Sequence, residues 1–145
     1  MEIVLKIFIA CDHAAYTEKE KLKEHFRQKI DFNDLGAHSS ESVNYSEYGL
    51  SLGKRVAQEN ALGIALCGSG IGISIAVNRV RGVRGALCRD TEDAKMCKLH
   101  NNANIICFGA RRNSLEEIIE MINVWISTEF EGGRHQKRID ILDNK

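Results

Sequence analysis

The chain has 145 residues, enough for one domain with a sizeable core. Hydrophobic residues make up 43%, charged residues 28%, and 20 Lys plus Arg balance 20 Asp plus Glu, as in an ordinary soluble globular protein. Zero net charge argues against a nucleic-acid binder that releases counterions along a phosphate backbone, and no run approaches the roughly 18 apolar residues of a membrane span. The start, MEIVLKIFIACDHA, carries no basic leader, long apolar region or small-residue cleavage site, so a cytosolic location is expected. Residues 3–11 are apolar apart from Lys6 and predict a central strand. Asp12 is suited to cap the helix that follows, where Ala15, Leu22 and Phe26 form the buried stripe. Glu18, Lys19, Glu20, Lys21, Lys23 and Glu24 are assigned to its wet side. Residues 32–35 read as a second strand ended by Gly36, and 37–45 as a serine-rich loop. Tyr48, Leu52 and Val56 recur every four residues and predict a helix to about Glu59.

Residues 64–72, IALCGSGIG, organise the rest of the chain. An apolar strand runs into Cys67, and Gly68, Gly70 and Gly72 surround Ser69 before the apolar ISIAV. That order predicts a buried strand, a tight anion-accepting turn and the first turn of a helix over 73–77. Residues 83–88 predict a strand containing Gly85. Asp90 and Asp93 supply a cap and a third-position acid for a helix ending near Leu99, and 104–108 another strand. Ser114 with Glu117 is a capping box. Leu115, Ile118, Ile119, Ile122, Trp125 and Ile126 keep three-and-four spacing behind it. Beyond the Gly132-Gly133 break a last short helix starts at Arg134, with Arg138 one turn away.

Strands alternating with helices imply an α/β chain: a three-layer Rossmann-like fold with a mostly parallel five-stranded sheet flanked by helices, as one domain over 1–145. No proline, internal repeat or low-complexity tract marks a linker. Ligands of such sheets bind beyond the carboxyl ends of strands. Cys11-Asp12-His13, Cys67-Gly68-Ser69, Cys88-Arg89-Asp90 and Gly109-Ala110-Arg111 all emerge there.

The glycine turn lacks the Lys-Ser/Thr of a P-loop and follows the third strand rather than the first, which sets aside nucleotide hydrolysis and NAD binding. A simple anion hole remains, beside the plainer reading that the glycines only allow close strand-to-helix packing. Cys67 is either the last buried residue of its strand or, at a helix start among free amides, a thiol whose lowered pKa makes it a base or nucleophile. Ser69 either caps the helix or exchanges a proton with a substrate oxygen. His13 and His100 lie at element ends rather than on apolar stripes, whereas His25 and His38 read as surface residues. Arg134, His135 and Arg138 are a compact cationic group able to clasp a phosphate, or a solvated helix face. Arg79, Arg81 and Arg84 read as a connector or a subunit contact. The five cysteines form no Cys-x-x-Cys pair or close Cys/His cluster, so free buried thiols and no metal are expected.

Several strings together resemble type B ribose-5-phosphate isomerases, within the ribose/galactose isomerase group. They are Asp12-His13-Ala14-Ala15, Cys67 to Ala76, His100-Asn101-Asn102-Ala103-Asn104, Gly109-Ala110-Arg111 and Glu131-Gly132-Gly133-Arg134-His135, and the likeness runs from about Lys6 to Leu142. The resemblance implies interconversion of D-ribose 5-phosphate and D-ribulose 5-phosphate without metal, by homodimers whose sites form between subunits; no cofactor is expected, and the sequence does not separate a dimer from a tetramer. The resemblance also implies Cys67 as the base that moves a proton between C1 and C2 through a cis-enediolate. On the same resemblance the amides of Gly68, Gly70, Ile71 and Gly72 would hold the oxyanion, and Ser69 and His100 resemble the pair that opens the furanose ring. Asp12 and Asn101 resemble sugar-hydroxyl contacts, and His13, Arg111, Arg134, His135 and Arg138 resemble phosphate ligands. A branch of the group uses a glutamate six residues after the cysteine position; Ile73 stands there, so the chain follows the cysteine branch. Where many relatives have Asp-Tyr-Pro and His-Asn-Asp-Ala, this chain has Asn44-Tyr45-Ser46 and His100-Asn101-Asn102-Ala103, amides in place of two carboxylates. An isomerase of a six-carbon aldose phosphate, allose or galactose 6-phosphate, a non-catalytic phosphosugar-binding module and a purely structural oligomer are the alternatives.

Overall fold

A computed structural model describes residues 4–144. The first strand, β1 (Leu5–Cys11), starts two residues after the expected Ile3, which lies outside the described residues. A single 3-10 turn (His13–Ala15) leads into α1 (Tyr16–His25), and β2 (Ile30–Asp34) and α2 (Tyr45–Glu59) follow. Next come β3 (Leu62–Cys67), α3 (Ile71–Val77), β4 (Gly85–Leu87), α4 (Thr91–Leu99), β5 (Ile105–Gly109), α5 (Leu115–Ser127) and α6 (Arg134–Asp143). The five strands pair in the order β2-β1-β3-β5-β4, and every pairing is parallel. The expected architecture is therefore present, with the sheet parallel throughout. No helix among the described residues is long and apolar enough to cross a membrane.

The inner strands β3 and β5 read as unbroken apolar runs, and β1 does so after Lys6, because both faces of the sheet are covered there, whereas the edge strand β2 alternates with Asp31, Asn33 and Asp34. Ile7, Ile9 and Cys11 point into one core with Leu22 and Phe26 of the α1 segment, Ala94 and Cys97 of α4, and Ile118, Ile122 and Trp125 of α5. Phe8 and Ala10 point into the other, with Leu52 and Val56 of α2 and Ile73 and Val77 of α3. The expected stripe of Ala15, Leu22 and Phe26 is buried. The expected capping box forms, with Ser114 Oγ accepting from the Glu117 N–H at 3.2 Å and Glu117 Oε1 from the Ser114 N–H at 2.8 Å.

Two expectations need correction. Lys19 is not on the wet side: it is fully buried, and its Nζ lies 2.6 Å from Asp34 Oδ2. Its aliphatic stem packs beneath α1 and the charge is met by the last residue of β2. Burial alone would raise the Asp34 carboxyl, but hydrogen bonds from Lys19, Lys23 and the Gly36 N–H hold it below the ordinary carboxylate range. The strand expected over 83–88 shrinks to Gly85–Leu87, because the Val83 N–H is taken by the Val80 carbonyl and the Arg84 N–H by Asn104 Oδ1.

Parallel strands bring all five carboxyl ends to one rim. There β1 and β3 are neighbours, while α1 packs on one face of the sheet and α3 on the other. Their connections diverge there, which makes this rim the topological switch point at which α/β sheets bind ligands. At the opposite end α4 delivers the chain to the start of β5. There α6 is tied down by the Glu131 N–H donating to the Leu99 carbonyl at 3.0 Å and by an Arg84–Asp143 ion pair at 2.8 Å.

Candidate active site

The rim site is built on the turn between β3 and α3. Gly70 adopts φ +79°, a conformation that costs an L side chain dearly and a glycine little. It aims the Gly70 N–H back at the strand it has just left, where it donates to Cys67 Sγ at 3.1 Å. Cys67 is 4% exposed, so the thiol expected at the mouth of the turn lies within it. The next amide, of Ile71, donates to Ser69 Oγ at 3.1 Å. Two of the four expected oxyanion amides thus already hold side chains of the same turn.

Neighbouring strand ends close around this turn. The Ala110 and Arg111 N–H groups donate to the Cys67 and Gly68 carbonyls at 2.9 and 3.0 Å. The Arg111 guanidinium lies over Gly68, where a Cβ would stand 2.8 Å from Nη1. The Tyr45 ring covers Gly72 in the same way, 2.6 Å from a Cβ placed there. Asp12 is 7% exposed; its N–H donates to the Leu66 carbonyl and its Oδ1 accepts from the Ala14 N–H at 3.0 Å, as the expected cap. The Val43 N–H donates to His13 Nδ1 at 3.1 Å, so a neutral ring carries its proton on Nε2. Arg89, given no role from the sequence, donates from Nη2 to the Ser69 carbonyl at 2.8 Å, and its Nη1 is buried without a partner among the described residues. Its signal was its place at the end of the fourth strand.

The remaining expected residues gather at the other end of the sheet. His100 caps the carboxyl end of α4, and its ring stacks on His135 with centroids 4.3 Å apart and planes 18° from parallel. Both Nε2 atoms face Glu131 Oε2, at 3.7 Å from His100 and 3.8 Å from His135. Burial, then the Arg134 and His100 charges, hold the His135 imidazole below its ordinary pKa. Arg134 and Arg138 are exposed on α6 and Asn101 is exposed beside His100. Asn101 also lines a cleft of about 530 Å³ with Arg79, Arg81 and Arg84. Asn102 sits at φ +45°, the left-handed region where Asn and Asp are the best-tolerated non-glycine residues, so an amide there serves the backbone as a carboxylate would. The five residues of β5 alone separate the two ends by about 13 Å. Ser69 and His100, expected to act as a pair, therefore do not meet within one chain, nor does the phosphate set.

A thiol held at a turn of amides, with an arginine over the turn and a histidine just past the end of the neighbouring strand, is equipped to bind an anionic polyol and move a proton on it. Comparison with known proteins agrees. Residues 7–142 match the ribose/galactose isomerase family. The chain belongs to that family. The ribose-5-phosphate isomerase B of Escherichia coli (strain K12) is 34% identical over 139 residues, covering 94% of this chain and 93% of the relative. A ribose 5-phosphate isomerase structure from Thermotoga maritima is 42% identical with a TM-score of 0.93, over 97% of this chain and 99% of that one. The ribose-5-phosphate isomerase B of Mycoplasma genitalium, solved with ribulose-5-phosphate bound, superposes with a TM-score of 0.93 at 33% identity, over 99% and 97%. Within this ribose/galactose isomerase fold the sequence pointed to the rim turn directly, whereas Tyr45, Arg89 and Glu131 stood in its motifs without a role, and their contacts with Gly72, Ser69 and the two histidines came only from the structure.

Proposed function

We propose that the chain is an aldose-ketose isomerase that interconverts D-ribose 5-phosphate and D-ribulose 5-phosphate, and that its complete site forms between two copies. The observation that carries the reading is the Cys67 sulfur set against the Gly70 amide at the β1/β3 switch point. Cys67 removes the C2 proton of the open-chain aldose. The C–H electrons form the C1–C2 double bond of a cis-enediolate and the C1 carbonyl pair moves onto O1, whose charge is held by the turn amides; the O2 hydroxyl proton then passes to O1, and the thiol returns its proton to C1 as O2 becomes the ketone. Gly68 and Gly72 offer their amides to that oxygen, and those of Gly70 and Ile71 join when it displaces Cys67 Sγ and Ser69 Oγ. Such preorganised donors contribute a few kcal/mol.

His13 and Arg111 of one copy bind the phosphate together with Arg134, His135 and Arg138 of the other. Asp12 meets a sugar hydroxyl from the first copy and Asn101 from the second, and Ser69 and the second copy's His100 open the furanose ring. A homodimer is supported by the half-sites at opposite ends of one chain and by exposed apolar residues near each: Tyr45, Ile71 and Ile75 at the rim, Ile141 and Leu142 on α6. Five free cysteines suit the reducing cytoplasm, where pentose phosphates are interconverted.

The test is turnover of purified protein in deuterated water. Ribose 5-phosphate gains solvent deuterium at C2 during approach to equilibrium, and allose or galactose 6-phosphate is turned over at least tenfold less efficiently. A preference for a six-carbon substrate would reassign the substrate. Binding without exchange would make the protein a phosphosugar-binding module.

A further inference from the structure

We propose that His100, Glu131 and His135 form a binding site for a divalent transition-metal ion, Zn²⁺ or one of similar ligand preference. One donor atom from each of the three lies within 4.8 Å of the others, and two imidazoles with a carboxylate are a donor set that suits zinc, cobalt or nickel. An independent observation comes from His135. It is 4% exposed, and its Nε2 has no hydrogen-bond partner among the described residues although Glu131 Oε2 stands 3.8 Å away. If Nε2 carries a proton, that proton falls short of the carboxylate; if it carries a lone pair, the pair faces a negative oxygen. A cation between the two satisfies both groups.

The neighbouring elements allow the site to close. Zinc bonds of about 2.0–2.2 Å require donors nearer to one another than they stand here, and two stacked rings cannot both direct a lone pair at one ion. His100 must therefore turn off His135, which its position at the helix end and its 32% exposed side chain permit. Glu131 is followed by Gly132 and Gly133, around which nothing crowds a Cβ position, so the carboxylate can shift while its N–H stays on the Leu99 carbonyl. Arg134 stands 3.8 Å from Oε1 and leaves Oε2 to the imidazoles. A fourth position remains for water or a phosphate oxygen.

On the functional reading above, His100 and His135 serve the substrate, so the bound ion inhibits and sugar phosphate relieves the inhibition. Glu131 has no part in that chemistry. The experiment titrates Co²⁺ and Zn²⁺ into the full chain and into Glu131→Gln, His100→Gln and His135→Gln, following metal by competition with a chromophoric chelator. Wild type is expected to bind one ion per chain with a cobalt spectrum free of sulfur charge transfer, since the five thiols are the competing donors. Each variant should weaken binding at least tenfold, with Glu131→Gln keeping its activity and losing its sensitivity to metal. Undiminished binding in Glu131→Gln and His100→Gln, at an exposed and a half-buried position outside the core, or a sulfur-ligated spectrum, overturns the site. Metal bound through these three residues without any effect on turnover upholds the site and overturns the role given to His100 in the reaction.

Discussion

Cys67 differs from Cys11 and Cys107 in the contact its sulfur makes at the turn. Cys11 is pushed up to about 12 by burial, and burial raises Cys107 as well, so these remain protonated fillers of the core at neutral pH. Cys67 instead faces the Gly70 N–H across the turn, which gives its sulfur a polar neighbour at the rim. Replacing it removes the proposed base and little packing volume. Cys67→Ala is expected to lower kcat by about 10²–10⁴-fold with an unchanged circular dichroism spectrum; retention of a tenth of the activity would refute the assignment. The turn itself was legible in the sequence because glycine spacing and an apolar strand are local signals. That two of its amides are already occupied was not, since this depends on where φ +79° at Gly70 aims them.

At the scale of elements, α1 shows where reading by residue type fails. Its charged run contains Lys19, which stands four residues after Ala15 and three before Leu22 on the buried stripe, and residue type rather than spacing is what groups it with Lys21 and Lys23. The docking of α1 beside β2 places Lys19 Nζ 2.6 Å from Asp34, and the ion pair becomes part of the packing. Lys19→Met keeps the stem and removes the charge. It is expected to cost roughly 3 kcal/mol in urea unfolding at pH 7, at the low end because Lys23 still reaches Asp34 at 2.8 Å. The folded Asp34 carboxyl titrates below its unfolded value. Its contribution is therefore complete above the ordinary carboxylate pKa of about 4 and is lost as pH falls through the folded pKa. Lys19→Met should flatten that acid limb, so an equal loss of stability between pH 5 and pH 2.5 in both proteins would count against the pair. By contrast, the capping box of α5 needed no such help, because Ser114 and Glu117 recognise each other's amides within one turn.

For the whole molecule, the consequence of an all-parallel sheet is that α4 carries His100 away from the rim on which Cys67 lies. A site needing both must draw on two chains. Cys67→Ala and His100→Ala, each inactive alone, should therefore recover activity when unfolded together and refolded. Random pairing makes half of the dimers mixed, and one of the two sites in each mixed dimer is intact, so about a quarter of wild-type activity is expected. No recovery, with mixed dimers present by mass spectrometry, would place both residues in a site of one chain.

The sequence by itself determined the layered α/β fold, the order of its elements, the glycine turn and its thiol, and the basic last helix. All of these follow from periodicity, caps and spacing within a few residues. Tertiary structure alone decided that Asp34 meets the Lys19 charge, that Arg89 braces the Ser69 carbonyl, that His100 and His135 converge on Glu131, and that the two groups of candidate site residues stand at opposite ends of one sheet. Those facts depend on contacts between residues far apart in the chain, where strand order and helix docking set the distances and local pattern carries no record of them.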